Sequence, residues 1–216
     1  CALPISAIWM SKAGFWTYDG YVKPLPSDVS DYVFGNINFN QASKVYAVHN
    51  SKFGEIWWYY PSNGSNENDS YVTYNYRENH WNIGTLARTA GTDAAVFSNP
   101  MAVSTDGYIY EHEVGFSYDS ASVYAESGPV QLGNGDNIMS VRQVIPDEQT
   151  LGEAVVSFKT RNYPTGTQSS YGPYTAANPT SVRFSGRQVN IKVTGAVLAD
   201  WRVGVIRLDA VASGKR

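Results

Sequence analysis

Cysteine, charge and long apolar runs are all scarce in this sequence of 216 residues. The single cysteine, Cys1, excludes an internal disulfide bond and a zinc site built on cysteines. No apolar run approaches the ~20 residues that a membrane-spanning helix needs. Charged residues make up 16% of the chain, whereas an average soluble domain has about 25%. The net charge of −3 and the lack of a basic run disfavour a protein that reads nucleic-acid sequence.

Catalytic and metal-binding patterns are also missing. The three histidines, His49, His80 and His112, lie far apart, and no G-x-S-x-G motif accompanies them. In Glu111-His112-Glu113, strand alternation predicts that the two glutamates share one face and that His112 points to the other. No ligand pair of metal-site spacing supports this cluster. The sequence therefore predicts no catalytic, cofactor-binding or metal-binding residues.

Two polar loops could be mistaken for calcium-binding loops. Residues 62–70 and 133–137 are rich in Asn, Asp and Gly, but neither has the spacing of an EF-hand calcium loop. Asn63 and Asn68 begin glycosylation sequons, which have meaning only on a eukaryotic secretory route. We predict that 62–70 is a solvated loop tip.

Aromatic residues are abundant, and they are concentrated in a segment of about forty residues at positions 44–83. β-Prone runs at 44–50, 55–60, 71–76 and 80–83 are separated by turn-forming residues. The pattern predicts a four-stranded antiparallel meander, the size of one β-propeller blade. The unbroken apolar run 55–60 predicts a strand covered on both faces.

Similar units flank this meander. Strands are predicted at 5–11, 14–18 and 21–25, followed by a helix capped by Ser27 that ends by Gly35 and a polar connector at 36–43. A third unit has predicted strands at 94–97, 101–104 and 108–113. A glycine precedes an aromatic strand in each unit, which favours propeller blades over residues 1–115, although a plain meander would show the same recurrence.

Residues 116–216 differ in texture and predict a β-sandwich-like region or strands that close the propeller. Strict alternation at 153–160 places Val156, Phe158 and Thr160 on one face. Residues 185–187 are predicted to form a hairpin turn between two strands, and residues 162–180 a long polar loop. The basic tail at 212–216 is predicted to be frayed. The predicted strands of this half are 138–145, 153–160, 181–184, 188–194 and 201–208.

Carbohydrate chemistry is the enzymatic alternative, because propellers host glycan hydrolases and aromatic platforms stack on sugars. A glycosidase needs two converging carboxylates, and Glu55, Asp106 and Glu111 are the acids near aromatic residues. Residues 104–107 faintly resemble a sialidase Asp-box, but the residue between Asp and Gly and the following Trp are absent.

Six segments resemble the C-terminal part of tail hub or nozzle structural proteins of short-tailed bacteriophages. They are IWMSKAGFWTYDG (8–20), EIWWYYPS (55–62), YVTYNYRENHWNIGTLARTA (71–90), DGYIYEHEVG (106–115), MSVRQVIPD (139–147) and WRVGVIRLDAVASGKR (201–216). The resemblance covers nearly the whole chain, and Lys215-Arg216 matches the basic pair that ends the family pattern.

The resemblance implies a non-enzymatic virion protein with no cofactor. Such a subunit forms a homo-oligomeric ring of six copies below the portal and adaptor, near tail fibre or spike proteins, and guides DNA without reading its sequence or entering a membrane. The opening at Cys1, in mid-pattern, predicts the later part of a longer polypeptide. A propeller-type glycan-binding or glycan-degrading tail protein and a secreted adhesion module remain as alternatives.

Overall fold

A computed structural model describes residues 6–116, 123–147, 150, 152, 154–176, 179–195 and 201–214. Cys1, the first residue of the predicted strand 5–11, residues 215–216 of the predicted frayed tail 212–216, and parts of 116–124, 146–153 and 162–180 lie outside the described residues. The chain divides into two compact units, Cys1–Val114 and Gly115–Arg216. Every strand pairing in the described residues is antiparallel, which confirms the predicted all-β class.

The first unit contains three successive meanders. The first sheet has strands β1 (Ala7–Ser11), β2 (Gly14–Tyr18) and β3 (Val22–Leu25). The second has β4 (Tyr46–Asn50), β5 (Glu55–Tyr60), β6 (Ser70–Asn75) and β7 (His80–Thr85). The third has β8 (Ala90–Thr92), β9 (Met101–Val103) and β10 (Ile109–Glu111). The predicted central meander is confirmed, with strand ends shifted by at most two residues.

The second sheet is apolar on both faces. On one face, Trp58 and Tyr60 are buried in a core that includes Phe15 of the first sheet and Val33. On the other face, Tyr59 is 4% exposed, and its ring stacks on that of Tyr46 with centroids 5.2 Å apart. The prediction that the strand at 55–60 is covered on both faces is therefore confirmed.

The third sheet packs closely on that second face. A Cβ atom placed on Gly91 of β8 would lie 3.1 Å from Cγ2 of Val48 in β4. Ala102 of β9 is 7% exposed and lines a crevice together with Val48 and Trp57. Three meanders thus follow one another face to face, since the first sheet shares the core on the opposite side.

Phe15 joins the first sheet to its neighbours. Its ring is 2% exposed and lies 5.4 Å from that of Phe34, 5.2 Å from that of Trp58 and 4.4 Å from that of Trp81, between centroids. Tilted aromatic contacts at such distances add to the energy of burial. This one side chain therefore contacts the helical segment and two strands of the second sheet.

Helical structure differs from the prediction in two places. The helix α1 spans Ser30–Asn36, so it begins later than a Ser27 cap implies. The Ser27 hydroxyl instead accepts a hydrogen bond from the Val29 amide at 3.3 Å, which forms a turn before the helix. The predicted polar connector contains a 3₁₀ helix at Phe39–Lys44, preceded by Asn38, whose side chain accepts from the Asn40 amide.

The predicted strand at 94–97 is wrong. The strand of this region is β8, which ends at Thr92, and the chain is then irregular up to Pro100. The Asp93 carboxylate accepts a hydrogen bond from the Ala94 amide at 2.7 Å, a local bond that competes with strand pairing. Val96, which the pattern predicted to be a strand residue, is 91% exposed.

The second unit is a two-sheet sandwich. Its strands are β11 (Tyr124–Glu126), β12 (Val130–Gln131), β13 (Ile138–Ile145), β14 (Ala154–Arg161), β15 (Ser169–Thr175), β16 (Thr180–Gly186), β17 (Gln188–Gly195) and β18 (Arg207–Gly214). One sheet has β11 and β12 on β17, followed by β14 and β15; the other has the order β16-β13-β18. Val156 and Phe158 of β14 and Val182 and Phe184 of β16 are buried in the shared core, and the alternation predicted for β14 is confirmed.

Three predictions for the second unit are corrected. Residues 162–180 are not one loop, because β15 lies within them and pairs with β14. Residues 185–187 do not turn a hairpin, because β16 and β17 belong to different sheets. At this corner Gly186 passes so close to β14 that a Cβ atom there would lie 2.9 Å from Cβ of Thr160. The C-terminal prediction, a strand at 201–208 followed by a frayed tail at 212–216, is wrong up to Gly214: β18 spans Arg207–Gly214, and Ala212 and Gly214 pair with β13.

Among the described residues, no helix has the length and apolar character required to span a membrane. The α-helix found in them, α1, has 7 residues.

Replacing Phe15 by alanine is expected to destabilise the first unit by about 3–5 kcal/mol, because it leaves a cavity among three aromatic rings. The matched control is Phe53→Ala, at a residue that is 43% exposed, with an expected cost of about 0.5 kcal/mol or less. Urea unfolding followed by tryptophan fluorescence measures both. Equal losses in the two variants would contradict the role assigned to Phe15.

Candidate functional site

A polar cluster lies where the second and third sheets meet. Arg88, between β7 and β8, is only 9% exposed. Its Nε donates to Nε2 of His112 at 2.9 Å, and its Nη1 donates to the carbonyl of Ala87 at 2.8 Å. The guanidinium carbon lies 4.5 Å from the ring centroid of Tyr110. These contacts hold a nearly buried cation in place.

The hydrogen bond from Arg88 determines the state of His112. Because a guanidinium group has only donors, Nε2 of His112 must accept, and the imidazole is neutral with its proton on Nδ1. Burial, and secondly the charge of Arg88, lowers the pKa of His112. A histidine in this setting serves as a structural acceptor.

Glu113 departs from the predicted strand alternation. The strand β10 ends at Glu111, and Glu113 has a left-handed backbone with φ of 62°. The prediction that Glu111 and Glu113 share a face is therefore wrong: Glu111 accepts from Nδ2 of Asn99, whereas Glu113 accepts from Nδ2 of Asn50 at 3.2 Å. Burial raises the pKa of the Glu113 carboxyl group, an effect that the charge of Lys52 opposes.

The crevice beside this cluster is small. Its volume is about 30 Å³, and Asn50, Trp57, Thr92, His112 and Glu113 contribute to its walls. A cavity of that size has room for about one or two water molecules. It is far smaller than ligand pockets, which measure about 300–1,000 Å³. The crevice is therefore too small, in this conformation, for a ligand of that size.

His49 stands at a second polar array, on an open groove along the first and second sheets. Its Nδ1 lies 3.4 Å from Oδ2 of Asp93, and its Nε2 lies 3.1 Å from the hydroxyl of Tyr76. Ser51 donates to Asp93 and not to the imidazole, so the serine is absent from the position that a nucleophile would occupy. Burial works to raise the pKa of Asp93, but hydrogen bonds from Ala94 and Ser51 outweigh it and lower that pKa.

The other predicted candidates are dispersed. His80 lies at the start of β7, with Nδ1 3.7 Å from Oε2 of Glu78. Glu55 accepts from Nε1 of Trp57 at 2.9 Å, and Asp106 accepts from the hydroxyl of Tyr110 at 2.6 Å. The latter bond is the main reason that the pKa of Asp106 is lowered. Each acid of the glycosidase alternative thus has its own neighbour, and none is paired with another in the described contacts.

The loop at 62–70 is packed at its second half, so the prediction of a solvated tip is wrong there. Asn68 is 1% exposed and donates to the carbonyl of Lys44 at 2.8 Å, which removes this sequon from the surface. Asp69 accepts from the amide and hydroxyl of Ser62 at 2.8 and 2.7 Å. Over the described residues, no group of three or more His, Cys, Asp or Glu side chains is placed to hold a metal ion.

Sequence reasoning missed Arg88, Asp93 and Asn50. Asp93 and His49 are 44 positions apart, and no local pattern signals their contact. One signal in the sequence could have singled out Arg88, because it is the sole basic residue in the otherwise uncharged segment 79–92.

No protein-family model matches the chain. No curated protein matches it either.

Tyr46 and Tyr74 form a matched pair for testing buried hydroxyl groups. Within the described structure, the buried hydroxyl of Tyr46 has no hydrogen-bond partner, whereas that of Tyr74 donates to Asn79 at 3.0 Å. Tyr74→Phe is expected to cost about 1 kcal/mol. Tyr46→Phe is expected to cost nothing or to stabilise by up to about 1 kcal/mol. Urea unfolding measures both, and a larger loss for Tyr46→Phe would contradict the assignment.

The lowered pKa of His112 predicts a pH dependence of stability. The unfolded chain binds a proton near the ordinary histidine pKa of 6.5, and the folded chain binds it only at lower pH. The free energy of unfolding should therefore be highest above that value and should fall as the pH drops toward the folded pKa. His112→Gln should flatten this slope, whereas His80→Gln should retain it. Unfolding curves at a series of pH values measure the slope, and an unchanged slope in His112→Gln would refute the prediction.

Proposed function

We propose that this chain is a structural subunit of a bacteriophage tail, of the hub or nozzle kind, that assembles into a ring and guides DNA. The motif resemblance at residues 8–20, 55–62 and 106–115 motivates the proposal. Those segments belong to the three meanders of the first unit, and successive meanders stacked face to face are the arrangement of propeller blades. Closure of a full propeller is part of the proposal, not of the described fold.

The observation that carries the proposal is the surface of the two flanking sheets. The second sheet is covered on both faces, but the flanking sheets keep large apolar side chains exposed: Tyr18 at 40% and Val22 at 57% in the first, and Ile109 at 65% in the third. Tyr18 and Val22 are directly paired across β2 and β3, so they form one apolar surface. Exposed apolar sheet surfaces and edges are typical of proteins that bind neighbouring subunits.

Charge distribution supports a passive conduit. Residues 1–114 carry 6 basic and 11 acidic side chains, a net charge of −5. Duplex DNA is itself a dense polyanion, so an acidic wall repels it and prevents adhesion during passage. The ring would seal and guide through rigidity, and its small polar junction has no part in bond breaking.

The long polar loop predicted at 162–180 would have been a natural contact with a neighbouring subunit, but it contains a strand. Because β15 occupies Ser169–Thr175, deletion of the whole segment would remove a strand of the sandwich rather than a loop. Residues 162–168 form the connector that precedes β15, with Tyr163 58% exposed. A test of assembly therefore uses point substitutions on exposed surfaces.

A glycan-binding tail protein is the second candidate, favoured by the groove that contains His49. This groove of about 670 Å³ is lined by Thr17, Asp19, His49 and Tyr76 among others, and its size suits a saccharide. Polar groups beside an aromatic ring suit sugar hydroxyl groups and faces. Incubation with host polysaccharide separates the two candidates, since saturable binding or cleavage supports the second and the lack of both removes it.

The proposal predicts ring assembly by the exposed apolar surfaces. Purified protein in a concentration series should form closed oligomers, with six copies expected, by mass photometry and native mass spectrometry. The double variant Val22→Lys/Ile109→Lys should shift this population to monomers, because it places charge on both flanking sheets. The control Asn63→Lys/Asn66→Lys adds the same charge at two exposed loop positions and should leave assembly intact. A wild-type chain that stays monomeric throughout, or a double variant that assembles normally, would refute the proposal.

A further inference from the structure

A groove with two arginines, which we call the arginine groove, lies on the second unit. Its volume is about 670 Å³, and its polar walls come from Ser140, Arg142, Ser181, Arg183 and Ser185, with Tyr171 at one side. Arg142 belongs to β13 and Arg183 to the neighbouring strand β16, and both side chains are exposed.

The two arginines lie where the ladders of β13 shift register. In the pairing of β13 with β16, Val141 lies opposite Phe184 and Gln143 opposite Ser181, so the register shifts at Arg142. The pairing of β13 with β18 shifts at the same residue. Arg142 is the extra residue in the ladder with β18, whereas in the ladder with β16 the extra residue lies on β16, where Val182 and Arg183 together face Arg142. Bulges commonly re-aim a side chain near a binding site.

The electrostatics of this arrangement are unfavourable without a ligand. Like charges on adjacent strands destabilise a sheet, and in the described residues neither arginine forms an ion pair or a hydrogen bond. Arg161 of the same unit provides a contrast, because its guanidinium group donates to Gln188 and to the carbonyl of Pro164, both at 2.7 Å. The arginine groove therefore holds two sets of guanidinium donors that are not used within the described chain.

We propose that the arginine groove binds a phosphate group. Planar guanidinium forks match the oxygens of a phosphate, and the hydroxyls of Ser140, Ser181 and Ser185 supply further neutral donors. The whole unit favours an anion: residues 115–216 carry 10 basic and 8 acidic side chains, a net charge of +2, in contrast to the acidic first unit. The bound group is either inorganic phosphate or a phosphate of a nucleic-acid backbone. Only the nucleic-acid alternative rests on the proposed function.

The site is tested on the full chain with inorganic phosphate, titrated at constant ionic strength against chloride. Backbone amide shifts of residues 140–143 and 181–185 should saturate with phosphate in the wild type. Arg142→Gln/Arg183→Gln should abolish this response, whereas the control Arg207→Gln, which removes an exposed arginine from β18, should retain it. All substituted side chains are exposed, and circular dichroism verifies that the variants are folded.

A duplex DNA oligonucleotide separates the two sources. Fluorescence anisotropy at several salt concentrations gives the slope of log affinity against log salt, and each arginine that contacts a phosphate adds about 1 to it. If the double variant lowers this slope by about 2 and the control does not, the phosphate belongs to nucleic acid. Saturable phosphate binding without DNA binding assigns free phosphate. If neither probe distinguishes the double variant from the control, the inference is wrong, whereas ring assembly is unaffected by that result.

Discussion

The structure of the first unit depends on one constraint, which is that the second sheet cannot leave either face in water. Trp58 and Tyr60 cover one face with large apolar side chains, and Trp57 and Tyr59 cover the other. Burial of such side chains is worth roughly 1.5–3 kcal/mol each, so exposure of either face would be too costly for a domain of this size. The first sheet with its helix must pack on one side, and the third sheet on the other.

The polar junction is a consequence of that packing. Where β10 ends against the second sheet, Arg88 donates to His112 and Asn50 donates to Glu113, while Oδ1 of Asn50 has no partner within the described chain. A histidine that accepts from arginine is held neutral, and a cation stacked on Tyr110 is held still. These paired groups tie the end of β10 to the second sheet.

The second unit follows a different plan. Its strands alternate between core and solvent, as β14 and β16 show, so each sheet covers only one face of the other. The outer faces remain free for polar residues, and the ladders of β13 shift register at Arg142, an exposed position. The two units therefore differ in net charge: the unit of aromatic meanders is acidic, and the sandwich is mildly basic.

Strands were predictable wherever burial is dictated by a local pattern. The apolar run at 55–60, the alternation in β14 and the run at 138–145 each lie where the sequence indicated, since period and composition suffice to specify a strand. The errors arose where a single hydrogen bond or contact competes with propensity. Asp93 ends the strand that residues 94–97 would have formed, and Ser27 delays the helix by binding Val29.

Partners that are distant in the chain were decided by the tertiary structure alone. The sequence by itself determined the all-β class, the meanders and the scarcity of charge. It could not indicate that Asp93 meets His49, that Glu113 turns away from Glu111 through a left-handed backbone, or that the segment at 185–187 crosses between sheets instead of forming a hairpin. Those outcomes follow from which faces pack together, and packing is a property of the whole surface rather than of any short segment.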